Sequence, residues 1–328
     1  MEVKDYGRVG VLMGGPSSER EVSLRSGEAV LSALLESGLD TVGIDITTDN
    51  ARENSRLLKG HRLDCVFIAL HGRFGEDGTV QRLLEELNLP FTGSGVEASC
   101  LAMDKIGSLD IFRKQGLCVP KSLSLEISAY GFGYRKPNHG SPTYQKNMDF
   151  KNELGFPVVV KPANHGSSIG LSIVENEEGI IPGIELAFQF DRRIVIEEYI
   201  KGRELTVGIL NEMPLPVIEI IPKRKFFDFA AKYQAGLTEY IVPAQLEEGI
   251  AGIVQDAALA AHKALGCFGC SRADIILGQD NLPYLLEVNT IPGMTATSLL
   301  PKAAKCVGIG FNQLCLKLLE LAYEKAKV

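Results

Sequence analysis

A chain of 328 residues, 45% apolar and 23% charged, has the composition of a globular protein with a sizeable interior and two or three domains. Its 34 basic against 41 acidic side chains give a formal charge of -7, which argues against a broad grip on nucleic acid and requires any phosphate ligand to be bound locally. Apolar runs such as Val9 to Met13 and Cys65 to Leu70 fall far short of the ~18 residues of a bilayer span, and no signal-peptide pattern opens the chain, so the expectation is a cytoplasmic protein with no membrane partner.

In chain order, Arg8 to Met13 reads as a buried strand, Gly14-Gly15 as a turn, and Glu19 to Ser37 as a helix with apolar residues at helical spacing. Ser18 and Glu21 have the spacing of a capping box. Strands Thr41 to Ile46 and Asp64 to Leu70 and a helix Thr79 to Asn88 complete a small parallel, doubly wound sheet, whose ligands belong at the strands' C-terminal ends. Met103 to Gln115 reads as a helix and Ser128 to Asn147 as loop. Pro157 to Pro162 and Leu171 to Glu175 form a hairpin around the glycine-rich turn 164–170. Arg193 to Ile200, Glu204 to Leu210, Val217 to Ile221, Arg272 to Leu277 and Tyr284 to Val288 are further strands. Ile250 to Leu265 and Phe311 to Lys325 are helices.

Three constellations carry chemistry. Glu287 and Asn289, two apart on one strand, share a face, and Asp274 on the preceding strand can meet them; an oxygen-only set suits a hard ion such as Mg²⁺, with solvated strand carboxylates as the alternative. Lys161 ends an otherwise apolar run, where it needs an anion such as phosphate or must snorkel to solvent. The Gly and Ser residues that follow can offer N–H and hydroxyl groups to phosphate. No Walker P-loop or G-x-G-x-x-G pattern occurs. Gly166 to Gly170 matches G-x-S-x-G, but a strand-forming run follows it where the nucleophile elbow of a hydrolase needs a helix. The seven scattered cysteines read as reduced and mostly buried, and Cys267 and Cys270 as small hydrophobes in a turn.

The segments Gly14 to Ser23, Ala69 to Gly72, Gly75 to Gly78, Thr92 to Gly95, Met103 to Lys105, the Lys161 strand with its loop, Ala231 to Tyr233 and Leu286 to Thr295 occur in an order and spacing that resemble the D-alanine:D-alanine ligase family of the ATP-grasp superfamily. The resemblance implies an N-terminal substrate-binding domain (1–102), a central ATP-grasp domain (103–196) and a C-terminal one (197–328) with a mobile loop at 222–237, the last two built on antiparallel sheets. It implies ATP-dependent, ADP-forming joining of two D-alanine molecules through a D-alanyl phosphate, for peptidoglycan precursors. Lys105, Lys161, Ser168 and Lys232 would hold phosphates, Glu197, Glu198 and Ile200 would line the adenine pocket, and Glu204 would meet the ribose. Asp274, Glu287 and Asn289 would hold two Mg²⁺ or Mn²⁺.

By the same resemblance Glu19 would accept the first ammonium, with Ser167 and Tyr233 beside it, and His71 would orient that substrate. Arg272 and the Gly293 N–H would face the oxyanion, and Ser298 and Leu299 would receive the second carboxylate. Tyr233 goes with dipeptide rather than depsipeptide formation, while Phe227, Phe229 and Ala230 depart from the usual lid residues. A homodimer is implied as well. An ATP-grasp ligase for another carboxylate and amine, a D-alanine:D-lactate ligase, and a non-catalytic nucleotide-binding descendant are the alternatives.

Overall fold

The computed structural model describes residues 6–128, 131–135, 150–222 and 238–326. Strands β1 (Val9–Gly14), β2 (Thr41–Ile46) and β3 (Cys65–Ile68) form a parallel sheet in the order β2-β1-β3. Both of its faces are covered. Val9, Val11 and Phe67 pack with Val30 and Leu34 of the helix Arg20–Glu36, whereas Leu12, Val66 and Ile68 pack with Leu58 of the helix Ala51–His61 and Leu84 of the helix Thr79–Glu86. Alternation along a strand sends neighbouring side chains to opposite faces, and here both meet helices. The first of those cores also takes Leu314, Leu318 and Leu319 from the last helix, Phe311–Lys325, so the end of the chain closes the sheet formed by its beginning.

The second sheet is antiparallel, with β4 (Ser122–Ser128), β5 (Gly131–Arg135), β6 (Val158–Pro162), β7 (Ser172–Val174) and β8 (Arg193–Glu198) in the order β5-β4-β8-β6-β7. Its inner face packs Val158, Val160 and Ile194 against Ile184 of the helix Ile180–Phe188. The third holds β9 (Gly202–Leu210), β10 (Met213–Pro214), β11 (Ile218–Pro222), β12 (Thr238–Ile241), β13 (Cys270–Gly278) and β14 (Pro283–Asn289) in the order β12-β11-β9-β13-β14, with β10 paired to β9. Val207, Ala273 and Ile275 pack under Val254, Ala258 and Ala261 of the helix Ile250–Ala264. β8 runs across residues 196 and 197, where a domain boundary was expected.

Several local expectations change. The stretch Ser128 to Asn147 is not all loop, since Ser128 ends β4 and Gly131–Arg135 pairs with it; residues 136–149 lie outside the described residues. The helix expected from Met103 to Gln115 runs Lys105–Lys114, and a helix that was not expected, Val96–Met103, precedes it. Between them Asp104, extended at φ −81° and ψ 95°, accepts from Ile106 N and Gly107 N as an N-cap. That is the usual reason a chain can turn at an Asp between two helical runs. The capping box of Ser18 and Glu21 does not form: Glu19 stands at the N-cap without a side-chain cap, and Ser17 Oγ accepts from Glu19 N while donating to His71 O. Only Cys65, Cys270 and Cys315 are buried, Cys100 and Cys306 are exposed, and all seven are free. Burial pushes the Cys267 thiol up to about 11 and the Cys270 thiol to about 12, so neither is poised as a thiolate for redox or metal chemistry.

Candidate active site

The pairing of β13 with β14 sets the first wall. Arg272 lies opposite Asn289 and Asp274 opposite Glu287, so period-two geometry puts all four on one face while Ala273, Ile275 and Val288 point into the core. Asp274 takes a two-pronged contact from Arg272 (Nε to Oδ1 2.8 Å, Nη2 to Oδ2 2.8 Å) and a 2.7 Å hydrogen bond from Thr206 Oγ1 on the neighbouring β9. Glu287 Oε2 lies 3.1 Å from Lys105 Nζ, which also donates to His165 O at 2.7 Å. Asn289 Oδ1 accepts from Ile291 N at 2.9 Å. Two carboxylates and an amide oxygen on one rigid face fit a hard divalent cation. Among the described residues no group of three His, Cys, Asp or Glu side chains is placed to hold a metal ion, and this face itself carries only two carboxylates beside the amide.

The central sheet supplies the second lysine. Lys161 does not snorkel: it is 7% exposed, and its Nζ meets Glu197 Oε2 at 2.9 Å across the β6–β8 pairing. Glu197 is itself 2% exposed, and its other oxygen has no hydrogen-bond partner among the described residues. A buried acceptor costs free energy until a donor reaches it, so this orphan oxygen fits an amino group of a nucleotide base. Glu198, at the end of β8, accepts from Lys121 N at 2.8 Å. Ile200 follows β8, and Glu204 sits on β9 opposite Ile220 and Ile276.

Loops at the C-terminal ends of the parallel strands build the opposite wall. Glu19 is 9% exposed, and a Cβ on Gly166 would stand 3.0 Å from its Oε1, which brings the carboxylate against the glycine-rich loop. A side chain at 166 would require the Glu19 carboxylate to shift by a few tenths of an ångström. Ser167 and Ser168 take left-handed backbone angles, φ 55° and 57°, a conformation uncommon outside glycine and typical of loops shaped for a ligand. Since β7 rather than a helix follows, no nucleophile elbow exists here. His71 is buried, with Ser26 Oγ 3.0 Å from Nε2 and Glu76 Oε1 3.3 Å from Nδ1. Burial raises the Glu76 carboxyl above its usual range, and the His71 contact opposes that rise.

A cavity of about 330 Å³ joins these walls. Glu19, His71, Lys105, Ser167, Arg272, Asp274, Glu287, Asn289, Gly293, Ser298 and Leu299 all line it. Ser298 opens the helix Leu299–Cys306, and its Oγ accepts from Thr295 N at 3.0 Å, which leaves the helix's first N–H groups facing outward. Lys161, Ser168, Glu197, Glu198, Ile200 and Glu204 do not line this cavity. Lys232 and Tyr233, with Phe227, Phe229 and Ala230, lie outside the described residues. Their segment leaves the sheet at Pro222 and returns at Thr238, which are register partners, so both of its ends are fixed at one place beside Ile220 and Tyr240 of the cavity wall. Sequence reasoning gave no role to Ser26, Glu76 or Thr206. Glu76 stood in the motif Gly75 to Gly78, but Ser26 and Thr206 are single hydroxyl residues inside a helix and a strand, with nothing local to mark them.

Comparisons with known proteins find relatives over nearly the whole chain. The family model described as the D-ala D-ala ligase C-terminus matches residues 121–320, and that of the N-terminus matches residues 48–94. A D-alanine–D-alanine ligase of Syntrophotalea carbinolica is 44% identical over 312 residues, covering 95% of this chain and 95% of that one. Among solved structures, the D-alanine–D-alanine ligase of Bacillus anthracis complexed with ATP superposes with a TM-score of 0.82 at 35% identity, covering 98% of each chain. The VanG D-Ala:D-Ser ligase of Enterococcus faecalis gives 0.77 at 29% identity, covering 96% of this chain and 99% of that one.

Proposed function

This chain belongs to the D-alanine–D-alanine ligase family, and from that premise we propose that it joins two D-alanine molecules into D-alanyl-D-alanine at the expense of ATP, for peptidoglycan precursors. The difficulty of the reaction is that a carboxylate resists attack by an amine, because its carbon already carries anionic oxygens. Transfer of the terminal phosphoryl group of ATP to the first D-alanine carboxylate makes an acyl phosphate with a good leaving group. The amine of the second D-alanine then attacks, and phosphate departs.

The chain's own groups divide that work. Glu19 takes the first ammonium, with His71 and Ser167 orienting the molecule against the Gly166 loop. Lys105 and Lys161 counter phosphate charge, each exchanging a carboxylate partner for phosphate oxygens. Glu197, Glu198 and Ile200 contact the base and Glu204 the ribose. Asp274, Glu287 and Asn289 would hold two divalent ions, Mg²⁺ or Mn²⁺, which would supply charge neutralisation at the phosphoryl group. Arg272 and the Gly293 N–H stabilise the tetrahedral oxyanion, and the helix start at Ser298 and Leu299 receives the second carboxylate. By the family resemblance Lys232 would counter phosphate charge and Tyr233 would stand with Glu19 and Ser167; both lie outside the described residues. The family resemblance further implies a cytoplasmic homodimer; among the described residues no helix is long and apolar enough to cross a membrane.

The observation that carries these assignments is the convergence on one cavity of Glu19 from the first sheet's loops and of Arg272, Asp274, Glu287 and Asn289 from one face of the third sheet. The deciding assay incubates the protein with ATP, Mg²⁺ and D-alanine and follows ADP together with the product's mass and chirality. One dipeptide of two D-residues per ADP is expected. ADP without dipeptide, or a product carrying another amine or hydroxy acid in preference, would overturn the reading.

A further inference from the structure

Ser26 lies in the middle of the helix Arg20–Glu36 and is fully buried. Its hydroxyl is held from two sides. Met294 N donates to Ser26 Oγ at 3.3 Å, and Ser26 Oγ lies 3.0 Å from His71 Nε2. On the far side of the imidazole, Nδ1 is 3.3 Å from Glu76 Oε1. Met294 follows Gly293 directly, so one hydroxyl connects the backbone beside the oxyanion donor to the imidazole beside the first substrate.

The proton inventory of this chain has one complete solution. A hydroxyl has one hydrogen, and Oγ already accepts from Met294 N–H. If His71 carried its proton on Nε2, that N–H would also point at Oγ, and the hydrogen of the fully buried Ser26 would be left without an acceptor among the described residues. A buried donor without a partner costs the full desolvation of that group. With the proton on Nδ1 instead, every group is matched. Met294 N–H donates to Ser26, Ser26 O–H donates to Nε2, and Nδ1–H donates to the Glu76 carboxylate. The two neighbouring serines of the same segment act only on backbone, Ser17 on His71 O and Ser23 on Ala69 O. Ser26 alone reaches across to the loop after β14.

We propose that Ser26 is a positioning residue of the ligation step, fixing the Gly293–Met294 backbone against the first-substrate pocket and holding His71 as its Nδ1–H tautomer. This deepens the reading above and rests on its assignment of Gly293 to the oxyanion. Loss of the hydroxyl frees the Gly293 N–H from its aim while leaving the nucleotide side untouched. The acyl phosphate still forms, but amine attack slows, and water takes a larger share, giving back D-alanine and inorganic phosphate.

The test compares the full-length protein with S26A under ATP, Mg²⁺ and D-alanine, measuring dipeptide per ADP, kcat, KM for ATP and the affinity for ADP. The expected result is a fall in kcat of ~10- to 100-fold, a lower yield of dipeptide per ADP, and unchanged nucleotide binding. Unchanged kcat and yield in folded S26A overturn the proposal, as does a loss confined to nucleotide affinity. Wild-type protein that makes no dipeptide at all refutes instead the function itself. Should S26A not fold, the tautomer decides alone: ¹⁵N spectra of the wild-type histidines, with His71 assigned by its disappearance in H71Q, are expected to show Nδ1 protonated, and a proton on Nε2 overturns the proposal.

Discussion

The first and third sheets of this molecule carry function in opposite ways. The parallel sheet is packed by helices on both faces, so none of the inward side chains of β1 or β3 can reach a ligand, and Glu19 and His71 sit in loops beyond the strand ends. The antiparallel sheet is covered on one face by the helix Ile250–Ala264; its other face is covered at one end, where Leu210, Ile218 and Cys270 pack with Leu300 of the helix Leu299–Cys306, and bears Thr206, Arg272, Asp274, Glu287 and Asn289. A sheet with one partly open face can hold charged groups at strand spacing, rigidly and within reach of a ligand. A sheet with none must delegate to its loops.

That contrast can be broken by substitutions on the strands themselves. Phe67→Ala on β3, 1% exposed beneath two helices, is expected to cost about 3–5 kcal/mol of stability in denaturant titration while leaving the kcat of the folded fraction unchanged. A large loss of kcat in folded protein would show that the parallel strands do more than support. On the third sheet the reverse is expected. Asp274→Asn removes the carboxylate that Arg272 and Thr206 grip, and dipeptide formation should fall about 100- to 1000-fold with little change in melting temperature.

The covered face of the third sheet has its own signature. His262 on the covering helix is buried, and its Nδ1 lies 2.7 Å from Ser271 Oγ on β13. Burial lowers its pKa from 6.5 to about 4, so the fold favours the neutral ring. The unfolded chain binds the extra proton between those values, so this contribution is whole above pH 6.5 and is lost as pH falls towards 4. The loss amounts to about 3 kcal/mol at most, and His262→Gln should flatten the stability profile across that window. An unchanged slope would mean that the buried face tolerates the charge. The mildest change concerns the loops: Glu19→Gln keeps the shape of the Gly166 contact but removes the charge. It is expected to raise the KM for D-alanine by about 10- to 100-fold with ATP affinity unaltered, and steady-state kinetics in each substrate separate the two.

Legibility in the sequence followed the same division. The strand pair Arg272 to Leu277 and Tyr284 to Val288 was readable because alternation of period two both marks a strand and states which residues share a face, so Glu287 and Asn289 could be placed together from spacing alone. The helix Val96–Met103 and the start of the next at Lys105 were hidden, because the cap that Asp104 supplies between them is visible only in three dimensions. The helices Ala51–His61 and Leu299–Cys306 and the strand Thr238–Ile241 also went unread. The last two have eight and four residues, and among the described residues the strand pairs with β11 alone.

By itself the sequence determined the class of sheets, the motif order that resembles the ligase family, and the oxygen-only character of the ligand set, because these depend on residue type and near-neighbour spacing. Tertiary structure decided which anion meets which cation. Lys161 meets Glu197, 36 positions away, and Lys105 meets Glu287, 182 positions away, contacts that no local pattern encodes. It also decided that the final helix packs on the first sheet and that Ser26 reaches Met294. The physical reason is common to all four: burial leaves a charge, an apolar face or a hydroxyl in need of a partner, and only the folded path of the chain selects which distant residue supplies it.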